Sequence, residues 1–144
     1  MSNNAISRDD FDQWIFLMDD ALEEFFQSLP AELRGKLDHS ISSLDVIEGW
    51  ILSKYRTIQE IQAPGEATVL DGLARYVGET FRKNLGGYWD IDLKNEKSIY
   101  FNFPVITGYK ENSTPIGIHS LVTASIDRRT GEFIKTVLLN TLDR

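Results

Sequence analysis

The feature that most constrains this chain is a change of period at Gly86-Gly87. Before it, Val69, Leu73, Tyr76, Val77, Thr80, Phe81 and Leu85 recur at three- and four-residue steps, the apolar stripe of an amphipathic helix. After it, Trp89, Ile91 and Leu93 alternate with Asp90 and Asp92, the two-residue period of a half-buried strand. A helix that gives way to a strand within two residues needs left-handed backbone, so a positive φ is expected at Gly86 or Gly87. Trp89 is expected to bury against the helix that precedes it. The fold class this implies is α+β: N-terminal helices packed on a small antiparallel sheet, followed by a C-terminal helical segment.

The flanking segments fill in this outline. Ser7 with Asp10 has the spacing of a capping box, and Phe11, Trp14, Ile15, Met18, Leu22, Phe25, Phe26 and Leu29 continue as one helical stripe to Pro30. Ser42 with Asp45 is a second capping-box candidate, ahead of Leu44, Ile47, Ile51, Tyr55 and Ile58. Pro64-Gly65 is a firm break. Ala74 and Gly78 put small residues on one face of the middle helix, which would admit a neighbouring helix. Ser98 to Thr107 reads as the hairpin partner of the first strand, interrupted or ended near Pro104, and residues 108–115 as a polar loop. From Ile118 to Leu142 the apolar residues stay in helical phase, while Asp127-Arg128-Arg129-Thr130-Gly131 has the composition of a hairpin turn. Helices and a hairpin both fit; periodicity favours two helices, or one interrupted helix.

At 144 residues and 42% apolar content, residues 1–144 are expected to form a single domain with a real core. With no cysteine, disulfides and thiolate chemistry are excluded. Met1 to Ile6 is polar and shows no apolar leader, and nowhere do about 18 apolar residues run together, so a cytoplasmic protein without a membrane span is expected. The charge is unevenly placed. Residues 1–30 hold seven acids (Asp9, Asp10, Asp12, Asp19, Asp20, Glu23, Glu24) against Arg8, which accounts for six of the seven net negative charges. Phosphate binding requires clustered Lys and Arg, so nucleic acids and anionic membranes are not expected partners.

Motifs that carry chemistry are scarce. His39 and His119 lack any HxxxH, HExxH or DxH spacing and read as surface or capping residues. Asp90, Asp92, Asn95 and Glu96 offer oxygen ligands, but the glycine of a calcium loop is missing and the two Asp fit the outer face of a strand. No metal, cofactor or catalytic residue is therefore expected. Two groups remain. Asp12, Asp19, Asp20 and Glu23 on the outer face of the first helix form a candidate docking surface for a basic protein, set against the plainer reading of a solvated face. Glu79 and Asp90 form a candidate polar site where the middle helix meets the sheet.

The segment Gly72-Leu73-Ala74-Arg75-Tyr76-Val77-Gly78-Glu79-Thr80-Phe81, with Leu85-Gly86-Gly87-Tyr88-Trp89, resembles a recurring bacterial pattern in which a helix carrying Tyr-hydrophobe-Gly-Glu leads into Gly-Gly-x-Trp and a strand. Phe103-Pro104-Val105-Ile106 and Asp127-Arg128-Arg129-Thr130-Gly131 are similar to its later parts. The pattern is that of small bacterial proteins of unknown function, some resembling immunity proteins of polymorphic toxin systems, and it covers about half the chain. The resemblance implies no catalytic residue. The leading expectation is thus a non-catalytic protein-binding module of the immunity type. The alternative is a small hydrolase or ligand-binding protein with a pocket between the middle helix and the sheet.

Overall fold

Ser7 fixes where the first helix starts. In the computed structural model, which describes residues 7–143, its hydroxyl accepts from the Asp10 N–H and the Asp10 carboxylate accepts from the Ser7 N–H, each at 3.0 Å. The reading of Met1–Ile6 as polar and leaderless falls outside the described residues. Helix α1 (Arg8–Phe16) does not run on to Leu29 as its apolar stripe suggests. It breaks at Leu17 (φ −87°, ψ 8°) and resumes as α2 (Met18–Gln27). The reason lies on a distant element. The Trp14 carbonyl, which a continuous helix would offer to the Met18 N–H, accepts from Arg75 Nη1 at 2.8 Å. Arg75 is only 4% exposed, its guanidinium lies 4.2 Å from the Trp14 ring centre, and its Nε donates to Asp71 at 2.7 Å.

After Pro30 come the short α3 (Ala31–Arg34), α4 (Ser43–Lys54), the short α5 (Ile58–Ile61) and a 3₁₀ turn (Pro64–Glu66). The expected Ser42–Asp45 capping box is absent: Ser42 makes no capping bond, the Ser43 N–H goes to Ser40 Oγ, and Asp45 accepts from Lys135 instead. Helix α6 (Ala67–Leu85) is the centre of the molecule. Each of residues 72–81 is buried, because the helix is enclosed by α2, α5, the second strand and the helix that follows the sheet.

Gly86 and Gly87 end α6 with φ +86° and +84°, and Gly86 at ψ −160° holds a conformation open essentially to glycine alone. Strands β1 (Tyr88–Asp90), β2 (Val105–Thr107) and β3 (Ile116–Gly117) form an antiparallel sheet in that order, with Trp89 opposite Ile106 and Ile106 opposite Ile116. The strand expected over residues 98–107 shrinks to its last three residues. Pro104 supplies no N–H ahead of it, Asn102 takes φ +66°, and residues 98–103 fold into turns held by Phe101 N–H to Ser98 O and Phe103 N–H to Tyr100 O. β3 emerges where a loop was expected to run directly into helix. What fills the notch at Gly78 is also not a helix: a Cβ there would fall on the Trp89 ring, which packs on α6 half-buried rather than fully buried.

Two helices, α7 (Ile118–Arg128) and α8 (Phe133–Leu142), complete the fold. The Asp127–Gly131 segment therefore ends α7 and opens the link to α8, residues 129–132, with Arg129 (φ +55°) and Gly131 (φ +82°) left-handed. Both of its ends are tied to α4. Glu48, wholly buried on α4, accepts from the Phe133 and Ile134 N–H groups at 3.1 and 2.8 Å and so caps α8, whose own N-cap residue makes no side-chain bond. In return the Arg129 guanidinium donates to the Leu52, Tyr55 and Arg56 carbonyls at the end of α4. Buried side chains from Met18 to Leu138 join one hydrophobic cluster. Among the described residues no helix is long and apolar enough to cross a membrane.

Candidate functional site

The α1–α2 pair turns Phe11, Met18, Leu22 and Phe25 inward and leaves Asp9, Asp12, Asp19, Asp20, Glu23 and Glu24 exposed on the other side. The Gly86-Gly87 turn then brings β1 back beside α1. Trp14 and Trp89 meet edge to face at 4.9 Å, and Arg8 bridges Asp12 and Asp90 at 3.5 Å each. Between α1 and this corner runs an open groove of about 530 Å³. Its lining is mixed: Phe11, Ile15, Met18 and Trp89 contribute apolar surface, and Asp12, Asp19, Glu79 and Arg82 contribute polar surface. Phe16 stands 84% exposed and Tyr88 57% exposed at its edge. Single exposed apolar residues are ordinary, but two aromatics bordering one groove mark a surface suited to contact.

The carboxylates in and around the groove differ sharply. Glu79 is buried, and both of its oxygens are occupied: Oε2 accepts from Arg82 Nε at 2.7 Å and Trp89 Nε1 at 2.8 Å, and Oε1 from Arg82 Nη2 at 3.0 Å. Burial pushes its pKa up, yet the hydrogen bonds from Arg82 and Trp89 and the nearby Arg82 and Lys83 charges outweigh that and hold it below the ordinary value. A carboxylate so held does not work as a proton carrier near neutral pH. Asp90 is likewise engaged, its Oδ1 accepting from the Ile91 N–H at 2.8 Å and facing Arg8. By contrast, Asp19, Asp20 and Glu23 form no ion pair among the described residues.

Of the residues singled out from sequence, the groove gathers Asp12, Asp19 and Glu79; Asp90 adjoins it through Arg8, and Asp20 and Glu23 lie outside it on the exposed face of α2. Phe16 and Tyr88 were not legible as site residues. Phe16 could have been found, since it is the one large aromatic between Phe11 and Phe26 that falls off the apolar stripe. Asp92 Oδ1 accepts from the Lys94 and Asn95 N–H groups, which closes a turn after β1. Among the described residues no group of three His, Asp or Glu side chains is placed to hold a metal ion. His39 stacks on Tyr76 at 4.7 Å with Nδ1 3.1 Å from Thr80 Oγ1, inside a network that fastens residues 39–43 to α6. Comparison with family models, curated proteins and solved structures finds no match.

Proposed function

We propose that the protein is a non-catalytic protein-binding module of the bacterial immunity type, acting in the cytoplasm and docking a basic partner along the α1–β1 groove. The observation that carries this reading is the pairing of two exposed aromatics, Phe16 on α1 and Tyr88 on β1, with the unpaired exposed acids Asp19, Asp20 and Glu23 on α2. Aromatic anchors supply contact area, and the acids on α1 and α2 supply steering toward positive charge. The enzyme alternative is disfavoured because Glu79, the buried acid at the groove, is fully committed to Arg82 and Trp89.

The test is site-specific photo-crosslinking in the native host, with the reactive side chain placed at position 16 and, as a control, at position 139 on α8, where Leu139 is also exposed. A single basic protein crosslinked from position 16 and lost on Tyr88→Ala is the expected result. Equal yields from both positions, or an acidic protein captured from position 16, would overturn the assignment.

A further inference from the structure

A second cavity, of about 370 Å³, opens between α1 and the turn that precedes β2. Its walls are almost wholly apolar and aromatic: Phe11 and Trp14 from α1, Phe103 and Pro104 from the turn. Phe103 is 52% exposed, stands 5.9 Å from the His119 ring and follows Asn102 in its left-handed conformation. Asp10, Asn102 and the imidazole of His119, in the first turn of α7, are the polar members of this otherwise apolar lining.

Neither ring nitrogen of His119 has a hydrogen-bond partner among the described residues, and Nδ1 is sealed from solvent. A buried bare lone pair costs less than a buried orphan N–H, so the ring proton belongs on Nε2, the nitrogen left open. Burial keeps this ring neutral by lowering its pKa, with the Asp71 charge opposing and the Arg75 charge assisting. The site thus offers flat apolar walls and, from the neutral His119 ring and the Asn102 amide, uncharged donors, with the Asp10 carboxylate in the lining to discourage anions.

We propose that this cavity binds a small uncharged aromatic molecule carrying one oxygen acceptor, its ring lying among Phe11, Trp14 and Phe103 and its oxygen accepting from His119 Nε2. Phenol is the probe, and toluene, with the same number of non-hydrogen atoms and no oxygen, is its control. Each is titrated into the full chain and followed by NMR at the Trp14 indole N–H and the His119 ring.

Phenol should shift both signals saturably, with a dissociation constant on the order of 1 mM, as expected for so small a ligand. It should bind about tenfold more tightly than toluene, the discrimination of a single satisfied hydrogen bond. His119→Phe should erase that preference while retaining toluene. Phe103→Ala, at an exposed position that leaves the fold intact, should weaken both compounds together. No saturable shift at Trp14 and His119, no preference for phenol in the wild-type chain, or a preference that survives in His119→Phe would each overturn the proposal.

Discussion

Gly78 lacks a side chain because Trp89 occupies the space, and that contact holds together much of the corner where the site forms. A Cβ at position 78 would meet the benzo edge of the indole, whose Nε1 is fixed by its bond to Glu79 and which cannot swing aside without breaking it. Gly78→Ala should therefore cost about 1–3 kcal/mol by overpacking, although alanine is the better helix former. Denaturant unfolding reads the loss, and a shifted tryptophan emission reads the displaced ring. Gly49 on α4 is the internal control, with open space around its Cα and an expected gain or no change on substitution by alanine. Glu79 belongs to the same corner: it looks like a lone polar residue in an apolar helix, and its partners explain why it is there. A carboxylate that accepts three bonds holds Arg82 and Trp89 in register, which orients the wall of the groove.

Two helix ends in this molecule are finished by side chains from distant parts of the chain. α8 begins with no capping bond of its own and is capped by Glu48 across 85 residues of chain, while α4 ends on the Arg129 guanidinium. Glu48→Ala should leave one buried and one partly buried N–H group unpaired and cost about 2–4 kcal/mol. Glu132→Ala, at the N-cap position itself, should cost little, because that side chain makes no capping bond. A comparison of the two midpoints in urea separates these cases. The same devices show what sequence can disclose. The α6 stripe, the paired glycines after it and the Ser7 cap are local patterns, complete within one or two turns, and were read correctly. The break at Leu17 was not, since apolar spacing continues through it and its cause is a carbonyl taken by Arg75, 61 positions away. The strand at residues 105–107 was overextended because β-branched and aromatic composition cannot report a left-handed Asn102 or turns closed by backbone bonds. At the site, the acids were visible as charge; the groove they border was not, because it exists only once the glycine turn returns β1 to α1.

Charge organises the whole molecule, and pH should reveal how. His39 and His119 are both held neutral by burial first, so the unfolded chain binds protons more readily than the folded one below about pH 6.5. Stability should fall as pH drops through that point, and again below about pH 4.5 as Glu79 is protonated out of its bonds with Arg82 and Trp89. His119→Phe should flatten part of the first decline and leave the second, as followed by thermal unfolding from pH 8 to 3. The larger asymmetry is the acidic α1–α2 pair, which carries six of the seven net negative charges and concentrates them beside the groove. Like charges on one helix face cost a few tenths of a kcal/mol per pair, a burden that folding does not require and steering would repay. The decisive measurement is the association rate with the crosslinked partner as salt is varied, for the wild-type chain and for a variant with Asp12, Asp19, Asp20 and Glu23 replaced by their amides. At low salt the variant should associate at least about tenfold more slowly, and the two rates should converge as screening shortens below ~8 Å. An unchanged rate with an unchanged salt slope would contradict the account and leave the acidic face as solvated surface.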